Sequence, residues 1–198
     1  MPANVTRLVV ATPALRRAWF AATGLAIVVG LTASDTDQTR AGLLPFLILA
    51  PLVPVMGVAL AYGLEADPAH EASLATPMSG LRLLLTRAAA VLAFSILVLG
   101  ITALFTPGAT LMAFGWLLPA LGTTAITLAM MTIVAPRRAA VITGAAWVLL
   151  VLLSRAGAND PLAAFGIAGQ LTMSTLAILG LLVAYVRRER FDLLGVLA

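Results

Sequence analysis

The residues best suited to chemistry lie together in one polar stretch, residues 65–87. It holds three of the eight acids, the only histidine and two of the twelve arginines. His70 lies close to Glu65, Asp67 and Glu71 in the sequence, and an imidazole with carboxylates can bind a metal ion. The alternative is a solvated histidine in a loop. We favour the loop histidine and predict no metal site.

The sequence also lacks the residue patterns typical of several classes of enzyme. Ser73 and Ser79 have no second histidine to activate them, which argues against a serine hydrolase. The chain has no cysteine and therefore no disulfide, thiolate metal site or nucleophilic thiol. It also lacks the G-x-x-x-x-G-K-[ST] phosphate loop with which it could hydrolyse ATP. We predict that the chain is not an enzyme, has no catalytic residue and binds no cofactor of its own.

The composition is that of an integral membrane protein. Of the 198 residues 62% are hydrophobic and 10% are charged, whereas a soluble domain has roughly 25% charged residues. The net charge of +4 could indicate nucleic-acid binding. The arginines, however, flank the apolar runs, which is the pattern of membrane topology. We therefore expect membrane lipids, and not nucleic acid, around this chain.

The uncharged runs predict an all-α membrane protein with six transmembrane helices in a single domain, 1–198. A helix needs about 20 residues to cross a core of about 30 Å. The uncharged run 88–136 has 49 residues and would form one helix of about 73 Å, so it must turn back, and Thr106-Pro107-Gly108 is the predicted hairpin. The predicted spans are 15–34, 41–63, 88–105, 110–134, 139–154 and 168–186.

Two spans have irregular features. The second contains Pro45, Pro51 and Pro54, which predict a kink or a local unwinding. Because a kink frees carbonyls that neighbouring helices must satisfy, we expect this span in the interior of the bundle. Residues 161–169 exceed what the last crossing needs, so we expect them to form a separate or re-entrant piece.

The arginines divide unequally between the two sides that six spans create. Ten fall on the side of the termini and two on the other, and this asymmetry predicts cytoplasmic N and C termini. The two on the far side are Arg40 and Arg155. Those on the side of the termini are Arg7, Arg16, Arg17, Arg82, Arg87, Arg137, Arg138, Arg187, Arg188 and Arg190.

The polar connection 64–87 between the second and third spans contains residues that typically begin and end helices. Asp67 can cap a short helix that starts at Pro68, and Pro77 ends it. Thr76 can cap a second helix, which carries Arg82 and Arg87 to the membrane. Long structured loops are usually functional, so this segment favours a docking role. An ordinary connecting loop is the alternative.

Residues 71–79 (EASLATPMS) and 81–87 (LRLLLTR) resemble the second cytoplasmic segment of the ABC type-2 exporter permeases. Glu71 matches the leading acid of that family. Leu74, Thr76 and Pro77 match its leucine–threonine–proline step, and Arg87 stands where the family often has lysine. The motif covers about 20 residues, and the predicted topology of six spans also agrees.

The resemblance implies a permease that dimerises and pairs with separate ATP-binding subunits, which bind ATP and Mg²⁺, in a bacterial inner membrane. The segment 64–87 would be the coupling helix that contacts the ATPase. Its contact residues would be Asp67, His70, Glu71, Leu74, Thr76, Pro77, Arg82 and Arg87. A homodimer is the assembly expected.

Two other functions remain open from the sequence. The same loop could recruit a cytosolic regulator to a membrane scaffold or sensor that transports nothing. An ion-coupled transporter is disfavoured, because the uncharged runs that form the predicted spans contain no acid, arginine or histidine, and Arg16 and Arg17 lie at the very start of the first span.

Overall fold

A computed structural model of the chain describes residues 20, 23–24, 26–28, 40–61, 80–105, 111–158, 160 and 162–188. These residues form helices and turns, without a strand among them. From Arg40 onwards the α-helices are α1 (Leu44–Leu49), α2 (Leu52–Ala61), α3 (Gly80–Phe105), α4 (Leu117–Met130), α5 (Pro136–Ala158) and α6 (Ile167–Val186). Short 3-10 helices occur at Arg40–Leu43, Leu111–Phe114 and Ala163–Phe165.

Four helical stretches are long and apolar enough to cross a membrane: Ala88–Phe105, Met112–Met130, Pro136–Ala158 and Ile167–Val186. The apolar stretch Leu44–Ala59 is shorter. Many large hydrophobic side chains of these helices are exposed, including Leu104, Phe105 and Ile167. Outward-facing apolar side chains on helices of this length are typical of a membrane protein. The predicted all-helical membrane protein is thus confirmed at this level.

The centre of the bundle is α4. Of the stretch Met112–Met130, 56% is buried, against 17% to 28% in the other three crossing helices. The helix packs on α2, α5 and, most extensively, α6. At the α4–α6 contact two glycines let the backbones touch. A Cβ on Gly180 would lie 2.7 Å from the carbonyl carbon of Ala125, and a Cβ on Gly122 would lie 2.9 Å from the carbonyl oxygen of Met173.

The buried side chains form two clusters, one near each end of the bundle. The smaller one, which we call the Met131 cluster, contains Val58, Ala88, Leu128, Met131, Ala139 and Ala184. The larger Trp116 cluster contains Ala26, Leu44, Phe46, Leu47, Ala50, Val53, Leu99, Ala103, Ala113, Trp116, Ala120, Trp147, Val151, Leu162, Ala164, Phe165 and Met173.

The two clusters show that the described helices alternate in direction. The α1–α2 pair runs from the Trp116 cluster to the Met131 cluster, α3 runs back, and α4, α5 and α6 continue the alternation. For example, Ala88 near the start of α3 lies in the Met131 cluster, whereas Ala103 near its end lies in the Trp116 cluster. This order agrees with the predicted order of the second to sixth spans.

The second predicted span is interrupted, as its prolines predicted. α1 ends at Leu49, Ala50 and Pro51 form a turn, and α2 begins at Leu52. Because Pro51 has no N–H, the helical hydrogen-bond pattern cannot pass through it. The indole Nε1 of Trp147 donates a hydrogen bond of 3.0 Å to the carbonyl oxygen of Ile48. A neighbouring helix therefore satisfies a carbonyl at the break, and the expected position in the bundle interior is confirmed.

A separate helical piece precedes the last span, as predicted. The 3-10 helix Ala163–Phe165 ends at Gly166, whose extended backbone leads into α6. The ring of Phe165 meets that of Trp147 edge-on, with centroids 5.6 Å apart. Gln170 Nε2 donates to the carbonyl oxygens of Gly115 (2.6 Å) and Phe165 (3.2 Å). These contacts fix the piece against α5 and the start of α4.

The predicted boundaries of the fourth and fifth spans differ from those of the helices. The sequence predicted 139–154, with arginines as limits, whereas α5 extends over Pro136–Ala158. Charged side chains can continue a helix beyond the apolar core, because they reach water from its ends. The fourth span, predicted at 110–134, consists of the 3-10 helix Leu111–Phe114, a turn and α4. The predicted hairpin at 106–108 and most of the span 15–34 lie outside the described residues.

Candidate functional site

The predicted contact residues fall into two groups. Those in the first part of the segment lie outside the described residues: Asp67, His70, Glu71, Leu74, Thr76 and Pro77. Arg82 and Arg87 lie in the first turns of α3, and the backbone there is helical. The structure therefore describes the backbone at Arg82 and Arg87, and the contact residues stay a prediction.

Arg82 and Arg87 belong to a long, continuous helix, α3. α3 has 26 residues, so it measures about 39 Å, which is longer than the apolar core of a bilayer at about 30 Å. Its apolar crossing part is Ala88–Phe105. The preceding residues 80–87 continue the same helix by about 12 Å. The predicted helix that carries Arg82 and Arg87 into the third span is thus confirmed over the described residues.

Both ends of the polar connection are attached at one end of the bundle. Val58, near the end of α2, and Ala88, near the start of α3, both belong to the Met131 cluster. α2 and α3 also pack against each other directly. The described helix ends on either side of residues 62–79 therefore both lie beside the Met131 cluster.

The same end of the bundle carries most of the described arginines. We call it the arginine face, defined by the positions of Arg82, Arg87, Arg137, Arg138, Arg187 and Arg188. The side chains of the last four are exposed. At the opposite end the described arginines are Arg40 and Arg155, and the exposed Asp160 lies there too.

The placement of these cations is not explained by helix stability. Arg137 and Arg138 lie in the first turn of α5, where the helix dipole disfavours positive charge, and α5 has no acid in that turn. Arg187, which follows α6 directly, is favourably placed. Arginines thus occur at N-terminal and at C-terminal helix ends, and what these positions share is the face of the bundle on which they lie. Such a face attracts anionic surfaces and acidic partners.

The buried polar residues of the bundle interior were not predicted from the sequence. Thr123 and Thr127 donate to carbonyls four residues earlier in α4, at 2.7 and 2.8 Å. Thr124 Oγ1 and Trp116 Nε1 are buried and have no hydrogen-bond partner among the described residues. The sequence indicated the role of Trp147 only indirectly, because the prolines of the second span required a hydrogen-bond donor from another helix. Nothing in the sequence indicated which helix would supply it.

The described residues offer binding and support but little acid–base chemistry. They contain no group of three His, Cys, Asp or Glu side chains that could hold a metal ion. The candidate site among the described residues is a cationic face with a continuous helix, α3, leading from it. Comparisons with protein-family models, with curated proteins and with solved structures gave no match for this chain.

Proposed function

We propose that the chain is the membrane permease subunit of an ATP-driven exporter of the ABC type-2 kind. A separate subunit would bind and hydrolyse ATP with Mg²⁺, and the segment 64–87 would contact it in the cytosol of a bacterium. The permease would act as a homodimer in the inner membrane. The family hypothesis comes from the sequence motif at 71–79, and the continuous helix α3 that follows it agrees with a coupling role.

The observation that carries the proposal is the continuity of α3. Residues 80–87 of the segment and the apolar crossing Ala88–Phe105 form one helix without a break. A push on the segment would therefore move the crossing helix as well, because a helix transmits displacement along its axis. A flexible tether in this place would transmit nothing. The continuity thus favours a coupling element over an ordinary connection.

The arginine face supports the proposed orientation. Positively charged residues accumulate on the cytoplasmic side of membrane proteins, and the described arginines accumulate on the face where α2 ends and α3 begins. In this orientation the acids of the segment would be held among arginines at the membrane surface. Glu71 and Leu74 would then supply the polar and apolar parts of the contact with the ATPase.

Cysteine labelling tests the orientation cleanly, since the chain has no native cysteine. Ser73→Cys on the segment and Ala158→Cys at the exposed end of α5 would be treated in intact cells with a maleimide that cannot cross the inner membrane. We expect Ala158→Cys to react and Ser73→Cys to react only after the membrane is opened. The reverse pattern would contradict the proposal.

Co-purification and ATPase activity test the partner. The full chain, purified in mild detergent, should bring with it a subunit that contains a phosphate loop. The double variant Glu71→Gln, Leu74→Ala should lower ATPase activity linked to transport by about tenfold or more, since truncation of a central contact typically costs 2 kcal/mol or more. Glu65→Gln is the matched control for loss of one negative charge in the same segment. Recovery of a regulator without a phosphate loop would favour the scaffold instead.

A further inference from the structure

A groove lies between α3 and α6 near the arginine face. Its volume is about 370 Å³, within the range of roughly 300–1,000 Å³ that is common for small-molecule sites. One wall is Leu85 of α3. The other wall belongs to α6 and consists of Ile178, Leu181, Leu182, Ala184 and Tyr185. The lining is apolar up to the tyrosine hydroxyl.

The α6 wall is a continuous stripe. Ile178, Leu181, Leu182 and Tyr185 follow the spacing i, i+3, i+4 and i+7, which places them on one face of the helix. All four are exposed, so no described part of the chain covers the stripe. It extends about 10 Å along the helix axis. Ala184 is buried beside it in the Met131 cluster, so the groove lies directly on the packed bundle.

The end of the stripe is cationic. The guanidinium carbon of Arg188 lies 4.9 Å from the centroid of the Tyr185 ring, a cation–π contact that holds the charge over the mouth of the groove. Arg187 precedes it and is also exposed. A guanidinium group can bind a phosphate through two parallel hydrogen bonds. Tyrosine is enriched at the depth of lipid headgroups.

We propose that this groove is a binding site for one anionic phospholipid of the leaflet at the arginine face. One acyl chain would lie along Ile178, Leu181 and Leu182, and the phosphate would bind Arg188 beside Tyr185. Along α6, apolar residues are followed by an aromatic residue and then by a cation. This order matches the acyl chain, the interfacial region and the headgroup of a phospholipid. The proposal does not depend on the exporter assignment.

Charge argues against a second copy of the chain as the occupant. In a twofold symmetric dimer the same patch contacts itself, and two copies that share a membrane orientation place equivalent residues at equal depth. Arg187 and Arg188 of one copy would therefore approach those of the other, and like charges across an interface are unfavourable. An anionic headgroup removes this repulsion, because it supplies the opposite charge at that depth.

Lipid binding can be measured by native mass spectrometry of the full chain in detergent micelles. The probes are phosphatidylglycerol and phosphatidylcholine with identical acyl chains. We expect one phosphatidylglycerol to bind saturably per chain, in preference to phosphatidylcholine. Arg188→Gln should weaken its binding about fivefold, the factor that corresponds to about 1 kcal/mol per arginine at an anionic surface. Arg188→Lys keeps the charge and should retain most of the affinity.

A second pair of variants tests the groove itself. Leu182→Trp should fill it and abolish saturable binding, whereas Leu179→Trp, on the same helix outside the groove, should leave binding unchanged. The two leucines are 53% and 51% exposed, so neither substitution disturbs a buried side chain. Equal binding of both lipids, equal effects of the two tryptophans, or displacement of the lipid by inorganic phosphate alone would overturn the proposal. So would a Leu182→Trp variant that loses dimers while lipid binding stays intact.

Discussion

The contact between α4 and α6 allows a quantitative test of the fold. Substitution of Gly180 by alanine adds one methyl group where the backbones of the two helices meet. The new Cβ would lie 2.7 Å and 2.8 Å from the carbonyl carbon and oxygen of Ala125. Real Cβ atoms do not occupy such positions. Because the obstacle is backbone and not a side chain, the helices must separate to admit the methyl group.

Two opposing terms determine the size of the effect. Alanine raises the intrinsic helix stability over glycine by up to about 1 kcal/mol. Overpacking of a tightly packed contact costs typically about 1–3 kcal/mol. Gly144→Ala in α5 is the matched control, since its Cβ would lie 3.5 Å from Leu52 Cδ2, an ordinary van der Waals distance. The helix-propensity term cancels between the two variants, so Gly180→Ala should be less stable than Gly144→Ala by about 1–3 kcal/mol.

Unfolding in mixed detergent micelles, with increasing mole fraction of dodecyl sulfate, measures this difference. Both variants and the unmodified chain would be followed by circular dichroism and by tryptophan fluorescence. We expect Gly144→Ala to match or exceed the unmodified chain and Gly180→Ala to unfold first. If the two alanine variants had the same free energy of unfolding within about 0.5 kcal/mol, the close approach of α4 and α6 would be refuted, because surface-like substitutions fall in that range.

Two further predictions use the same unfolding assay. Trp147→Phe should destabilise the chain by about 1–3 kcal/mol more than Trp116→Phe, because it leaves the partly buried carbonyl of Ile48 without its donor. The indole N–H of Trp116 has no partner among the described residues, so its loss removes no hydrogen bond there. Equal losses would contradict a stabilising role for the Trp147–Ile48 hydrogen bond. Gly169→Ala should cost about 3 kcal/mol or more, because its Cβ would collide with the backbone of Ala164, while Gly100→Ala, with open space around it, should be neutral or stabilising; a fully stable Gly169→Ala variant would contradict the packing of the 3-10 helix.

The order of the crossings could be predicted from the sequence because it depends on simple quantities. The length of each uncharged run and the position of the arginines fixed the alternation that the structure shows for the second to sixth spans. The apolar part of the third span, predicted near 88–105, lies at Ala88–Phe105 among the described residues. The ends of α5 were not predicted, because charge marks the membrane surface and a helix can extend past it.

The contacts between helices could not be predicted. Glycine is frequent throughout the spans, so its presence at Gly122 and Gly180 did not distinguish them from Gly100, which touches nothing. Close approach depends on how two helices are rotated about their axes, and a single sequence carries weak information about rotation. The prolines of the second span predicted a break and a donor, but Trp147 as that donor depends on tertiary packing.

The six-span topology, the cytoplasmic termini and the coupling residues stay predictions. The described part of the chain bears on two of those residues, Arg82 and Arg87, through the backbone of α3. The others lie before Gly80. The motif around Glu71 and the rigid helix that follows it are independent observations, one from residue identity and one from geometry.

The break at Ala50–Pro51 has a mechanical consequence for the bundle. On one side the polar connection follows α2, which the turn at Ala50–Pro51 separates from α1. On the other side it precedes α3, which is one continuous helix. An interrupted helix transmits a displacement along its axis less directly than a continuous helix, because the turn at Ala50–Pro51 breaks the run of axial hydrogen bonds. A displacement of the connection would therefore reach the Trp116 cluster more directly through α3 than through α2 and α1.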